Sequence, residues 1–231
     1  MVSVNRLLDR RSSFPINEWI MDSGAFTRIT SRRGHLSAKK YASEIKRWKT
    51  NGKLLAAVTQ DYMCEEVALL ATGLSVADHQ RLTIKRYDRL LDLIGGEVYL
   101  MPVVQGYEIS EYLQHLESWG DRLSLNQWVG VGSICKRNYR PALVEAILIA
   151  IKTARPDLKL HGFGLKKTAL ANPLIWDLLY SADSQAHGLL PIGRRSGKKY
   201  YGANDPNKAI EYAQSLFPPT EHSIFYQNHG E

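Results

Sequence analysis

Short apolar runs recur along the chain at residues 18–23, 54–60, 98–104, 127–132, 159–164 and 178–182, with a weaker one at residues 1–4. Most are apolar on consecutive positions, the pattern of parallel strands covered on both faces. Amphipathic stretches with helix-start signals lie between them. Ser37 precedes Ala38–Trp48, Ser75 precedes 76–93 and Ser110 precedes 111–119, each serine offering an oxygen to orphan backbone N–H groups. Pro141 opens a helix over 142–154, and Asn204-Asp205-Pro206 opens one over 207–217. Gly52, Gly95-Gly96 and Gly120 close the preceding helices. Strand–helix alternation of this regularity predicts βαβ units and a parallel sheet.

The fold class expected is α/β, as a single-domain (β/α)8 TIM-like barrel over residues 1–231, since no repeat, low-complexity tract or linker divides the chain. An eight-stranded barrel normally takes about 250 residues. Seven strands are readable here and the eighth, at residues 223–226, is weak, so the expectation is a barrel that is either compact or incomplete at its N-terminal strand, in preference to a doubly wound sheet. No Gly-x-Gly-x-x-Gly follows the first strand and no P-loop is present. Gly162-Phe-Gly164 lacks the third glycine of a dinucleotide fingerprint.

Three apolar runs end in an aspartate: Trp-Ile-Met-Asp22-Ser-Gly-Ala-Phe, Thr-Gln-Asp61-Tyr-Met-Cys and Tyr-Ser-Ala-Asp183-Ser-Gln-Ala. Carboxylates at the C-terminal ends of parallel strands converge on one site when the strands lie side by side. Asp22 against an apolar strand end suits a general acid or base, and small Ser23, Gly24 and Ala25 let a flat ring approach. Asp61 beside Tyr62 and Met63 suits a base edge, with the carboxylate accepting from ring N–H and amino groups while Tyr62 stacks. Asp183 suits attack on an anomeric carbon, with Ser181 and Ser184 able to hold it ionised. Gln105 supplies a donor and an acceptor, and Gly130 and Gly132 leave backbone open to a flat heterocycle. Each aspartate alone is equally an ordinary cap of the segment after it.

The net charge of +7 and pI near 9.3 point to a polyanionic partner, nucleic acid foremost, with simple solubility as the competing reading. Basic residues follow the strand ends: Arg28, Arg32 and Arg33; Lys136, Arg137 and Arg140; Lys166 and Lys167; Arg194, Arg195, Lys198 and Lys199. At the mouth of a cleft they would meet phosphates, and the last four alternate with glycine and tyrosine as stacking segments do. Lys46, Arg47 and Lys49 read as a solvated helix face. Cys64 and Cys135, the only cysteines, are too few and too far apart for a disulfide framework or a structural zinc site, so reduced thiols in a cytoplasmic protein are expected. His161 and His187 are isolated, and neither a metal nor a cofactor is assigned. No run spans a bilayer and no signal-peptide core opens the chain.

Taken in order, Asp22-Ser-Gly-Ala-Phe, Gln60-Asp61-Tyr-Met-Cys-Glu, Pro102-Val-Val-Gln105-Gly, Val-Gly130-Val-Gly132-Ser-Ile-Cys-Lys-Arg, Leu160-His-Gly-Phe-Gly164 and Ser181-Ala-Asp183-Ser resemble the DpdA family, the "deoxypurine in DNA" proteins, distant relatives of the tRNA-guanine transglycosylases. Six segments in register are specific where each alone is weak. The resemblance implies a TIM-barrel base exchanger that replaces guanine in DNA with a 7-deazaguanine such as preQ0. It implies Asp183 as the nucleophile at C1′, Asp22 as the group that protonates the leaving guanine and deprotonates the incoming base, and Asp61, Gln105, Gly130 and Gly132 as base-recognition groups. The chain departs from the tRNA enzymes in lacking their zinc site of three cysteines and a histidine, which favours the DNA-acting branch. It begins close to the family's second strand, with residues 2–4 standing where the first would be. His187 stands where many relatives carry an aromatic.

Three alternatives stay open at this stage: the same chemistry on RNA, a non-catalytic nucleic-acid-binding barrel in a modification or restriction assembly, and a glycoside hydrolase, whose substrate suits the basic rim poorly. An incomplete barrel would fit a homo-oligomer or a partner protein. DNA would have to present its target nucleotide flipped or single-stranded.

Overall fold

The computed structural model describes residues 1–184 and 206–216, and its strands are parallel throughout. In chain order, β1 (Val2–Ser3) and β2 (Glu18–Asp22) precede helices α1 (Ala25–Thr30) and α2 (Ala38–Trp48). β3 (Lys53–Val58) leads to α3 (Glu66–Thr72) and α4 (Val76–Ile94), and β4 (Leu100–Met101) and β5 (Val103–Val104) to α5 (Ile109–Trp119). β6 (Trp128–Val131) precedes α6 (Pro141–Ala154). β7 (Lys159–Gly162) precedes α7 (Lys167–Leu170) and α8 (Pro173–Leu178), then come β8 (Ser181–Ala182) and α9 (Pro206–Gln214). The pairing orders are β1-β2-β3-β4 and β5-β6-β7-β8.

The two ladders share one run of chain. Ala57 and Thr59 donate to the carbonyls of Tyr99 and Met101 on one side, and Gly130 and Gly132 to those of Pro102 and Val104 on the other. In the register Val103↔Gly130, residue 102 should donate to the Trp128 carbonyl. Proline has no N–H to give. The Tyr99 hydroxyl takes that carbonyl instead, and the run expected as one strand over 98–104 divides at Pro102.

Period-two alternation sorts the strand residues onto two faces. Trp19, Met21, Ala57, Leu100, Val104, Val129, Val131 and Leu160 join the main core against helix residues such as Ile45, Leu90, Tyr112, Trp119, Ile147 and Ile151. Ala56, Val58, Met101 and Val103 form a separate cluster on the other face, with Ile20, Tyr99, Trp128 and Phe163 against it. Asp22 continues the phase of Ile20, Gln105 that of Met101 and Val103, Gly132 that of Trp128, and Asp183 that of Ser181.

Local chemistry explains where expectation and structure part. Ser110 lies inside α5, which begins at Ile109 because Glu108 and Glu111 form a reciprocal capping box. The run 178–182 is extended only at Ser181–Ala182, since Asn172 caps Leu174 N and Pro173 starts α8. The short helices α1, α3 and α7 give too little periodicity to read. Ser37 and Ser75 cap α2 and α4, and Pro141 opens α6, as expected. The segment 223–226 lies outside the described residues.

Truncating Ile147, 1% exposed in the core, should lower unfolding stability by about 2–5 kcal/mol as Ala. Tyr112 donates to the Gly132 carbonyl at 2.8 Å, and its Phe variant should cost about 1–2 kcal/mol. Urea titrations of both check these values, and a Tyr112→Phe loss equal to that of Ile147→Ala would contradict the assignment of one hydrogen bond.

Candidate active site

The C-terminal ends of the strands surround a cavity of about 290 Å³. Asp22, Asp61, Gln105, Gly132, Lys166 and Asp183 line it together. The volume sits at the small end of ligand sites, about 300–1,000 Å³, and suits a ligand the size of one heterocycle.

Asp22 ends β2. Its Oδ2 accepts from Gly24 N at 3.1 Å and its carboxyl also meets the Ser3 hydroxyl from β1. Gly24 adopts φ 69°, a left-handed conformation that suits glycine, and Asn5 fills the space beside it. Burial outweighs those hydrogen bonds and, helped by the charge of Asp183, raises the Asp22 pKa. Asp61 lies three residues past β3, after a tight turn in which Asp61 N donates to Thr59 O at 2.8 Å. Burial first, then the Asp22 charge, pushes its carboxyl up to about 7.

Gln105 is held at every polar atom. Its backbone N–H donates to His115 Nδ1 at 2.8 Å, and its carbonyl accepts from Gln80 Nε2 at 2.8 Å. Its side-chain Nε2 donates to Asp61 Oδ2, and its Oε1 accepts from Ser133 Oγ at 2.7 Å. Burial lowers the His115 pKa to about 4, which keeps that ring neutral and able to accept. Ser133 has φ 57° and is 5% exposed; its Oγ also receives Cys64 N at 2.8 Å and lies 3.1 Å from Glu65 Oε2. Left-handed backbone costs a serine about 1–2 kcal/mol, and these contacts offset it.

Asp183 follows β8 directly. Gly164 N donates to its Oδ1 at 3.1 Å, and His161 Nε2 stands 3.4 Å from the same oxygen. Ser181, expected to hold Asp183 directly, instead contacts His161 and Trp128 at 2.9 Å each. Ser184 lies 3.2 Å from Tyr212 Oη.

Ser23, Tyr62 and Gly130 stand apart from the cavity. Ser23 is fully buried outside it. Tyr62 faces away, because Tyr62 N is tied to Thr83 Oγ1 at 2.9 Å and its ring packs on His35 and His79. Gly130 lies under the Phe163 ring, and Gly132 under the Gln105 amide, so a side chain added at either would collide. At the rim, Lys136 Nζ lies 5.1 Å over the Phe26 ring. Arg137 lies over exposed Tyr107 and donates to its carbonyl. Lys166 and Lys167 are exposed at the start of α7. Arg194, Arg195, Lys198, Lys199 and His187 lie outside the described residues.

Met63, expected beside Asp61, also lines the cavity, as do Phe26, Glu65, Ser133, Cys135 and Phe163, which sequence reasoning did not select. Phe163 follows the two-residue phase of His161 and could have been found that way; the others come from loops and α1. Both cysteines are free, and burial first, with Glu65 adding to it, pushes the Cys135 thiol up to about 12. Among the described residues no three His, Cys, Asp or Glu are grouped to hold a metal ion, and no helix is long and apolar enough to cross a membrane.

Fold and site together define a parallel α/β protein with carboxylates gathered over its strand ends. The chain belongs to the DpdA family: the family model "DpdA: DeoxyPurine in DNA protein A" matches residues 1–192, as the six sequence segments implied. Membership connects the chain with the modification of DNA. Among solved structures, one described as "Native KDPGal structure" aligns at 10% identity over 90% of this chain and 98% of its own, with a TM-score of 0.37, too slight a likeness to carry an argument. No curated protein matches the chain.

A carboxyl whose pKa rises on folding stabilises the fold fully at low pH and loses that contribution as pH climbs through the folded value. Asp61 should therefore lose its contribution between about pH 4 and about pH 7. Buried His35 and His115, whose pKa values fall on folding, slope the other way but act equally in an Asp61→Asn variant. Thermal melts across pH 4–8 should show wild type losing ground to Asp61→Asn by an amount on the order of a few kcal/mol. A difference independent of pH would refute this assignment.

Proposed function

We propose that this chain is a DNA guanine transglycosylase, built as one (β/α)8-type barrel domain, that exchanges guanine for a preQ0-like 7-deazaguanine. The observation that carries the reading is the meeting of Asp22, Asp61, Gln105 and Asp183 on one small cavity, with Lys166 at its edge. Mere binding of a polyanion has no use for three carboxylates facing it.

In this reading an Asp183 oxygen bonds to C1′ of the target nucleotide as the glycosidic bond breaks. The electron pair leaves with guanine, which takes a proton from Asp22. Burial raises the pKa of Asp22, the direction that favours a proton donor over an ordinary surface carboxylate. The incoming base returns a proton to Asp22, and its ring nitrogen attacks C1′ from the opposite side. The C1′–oxygen bond breaks, and its electron pair goes back to Asp183. Two inversions give retention, and Asp22 ends as it began.

Asp61 accepts from the ring N–H and amino group of the base, and Gln105, held at both backbone groups, offers a side-chain N–H to the base carbonyl. A cavity this small and this far behind the rim cannot receive a stacked pair. The nucleotide is extruded or single-stranded, at a cost of roughly a few kcal/mol. Lys136, Arg137, Lys166 and Lys167 meet the flanking phosphates.

DNA incubated with labelled preQ0 and digested to nucleosides for mass spectrometry should contain the label with wild-type protein. Asp183→Ala should give none while binding DNA normally, and Asp22→Asn should slow exchange by ~10²–10⁴-fold. Unaltered incorporation by Asp183→Ala would remove the nucleophile assignment. Lys166→Ala should lower the dependence of log affinity on log salt by about 1.

A further inference from the structure

We propose that His161 is a positioning residue for Asp183, fixed as its Nε2–H tautomer by a relay running from Trp128 through Ser181. The proposal rests on the transglycosylase reading for its consequence in catalysis, but its geometry stands on the fold.

The relay follows from what each group can do. The indole Nε1–H of Trp128 only donates, and it points at Ser181 Oγ from 2.9 Å. That oxygen accepts from Trp128, so its own hydrogen is free for His161 Nδ1, also 2.9 Å away. Nδ1 then accepts, and the ring proton resides on Nε2. Nε2 faces Asp183 Oδ1 at 3.4 Å, out of line for a hydrogen bond, and has no other partner among the described residues. His161 is 1% exposed, so an N–H left without an acceptor there is costly. A small turn of the Asp183 carboxyl brings its oxygen into line.

Three neighbouring strands supply the parts. Trp128 starts β6, His161 lies within β7 and Ser181 starts β8, with His161 paired directly to Ser181 in the ladder. All three project from the face that carries the cavity, and the ring of His161 is wedged against Trp128 and Phe163. It has no room to swing away.

The consequence concerns which oxygen reacts. Gly164 N–H and His161 Nε2–H both address Oδ1, leaving Oδ2 as the oxygen that bonds to C1′. When the incoming base displaces the aspartate, the C1′–Oδ2 bond breaks and its electron pair returns to a carboxylate already facing two donors. His161 therefore acts on both half-reactions without touching the base or the sugar.

Single-turnover kinetics of base exchange and ¹⁵N NMR of histidine-labelled protein test this. His161→Ala should reduce kcat roughly 10- to 100-fold, with KM for DNA and for the base within about twofold. His161→Gln, whose amide N–H reaches the same place, should recover most of the loss, and Ser181→Ala should fall between the two. The spectrum should show His161 as Nε2–H, with Nδ1 moving in Ser181→Ala and Nε2 moving in Asp183→Asn. Wild-type rates in His161→Ala, no recovery in His161→Gln, or an Nδ1–H tautomer would each overturn the proposal. Wild-type protein that exchanges no base but keeps this tautomer and its response to Asp183→Asn would remove the transglycosylase reading and support the contact itself.

Discussion

The hydrogen bond from the Gln105 side chain to Asp61 is the contact around which the site is assembled. Asp61 is 8% exposed, and a carboxyl taken that far out of water needs a donor aimed at it. Gln105 can reach only because Gly132 has no side chain beneath the amide. Gly132 lies there because β5 and β6 pair in the register Val104↔Val131. Gln80 from α4 and His115 from α5 then fix the Gln105 backbone, so two helices and two strands have to be docked before one amide can face one carboxyl.

Electrostatics follow from the same enclosure. Asp183 raises the pKa of Asp22, and Asp22 raises that of Asp61. Gathering these three aspartates, with Glu65 beside them, in a cavity this small is tolerable when they do not all carry charge at once. Burial has pushed two of them towards the neutral form, while the third meets a backbone N–H and faces an imidazole. The three aspartates thus differ in surroundings although they share a residue type.

The strand ends were legible because a parallel strand covered on both faces is apolar until it emerges. The first polar residue after Ile20-Met21, after Pro102-Val-Val and after Ser181-Ala stands at the cavity. Tyr62 stands off the cavity because neighbours in sequence diverge once the strand has ended. The bond from Tyr62 N to Thr83 turns the ring towards His79, and Phe26 from α1 supplies the aromatic wall. Ser133 was invisible because its role depends on a left-handed backbone, and Glu65 because a buried acid on a loop looks like a helix cap. His161 looked isolated in the chain, since its partners are 33 and 20 residues away and meet it only through the ladder.

The glycine under Gln105 also divides the cavity into a fixed wall and an adjustable one. On the side of Gly132, Gln105, Ser133 and Asp61, hydrogen bonds tie the side chains to one another, and at Gly132 even one added methyl has nowhere to go. Phe26, Met63, Cys135 and Phe163 also line the cavity, and Met63 and Phe163 are held there by packing. Variation can therefore reshape the cavity along one wall while the other stays constant. A lineage carrying this fold would diversify what enters the site through those four positions, leaving the carboxylates and their amide untouched.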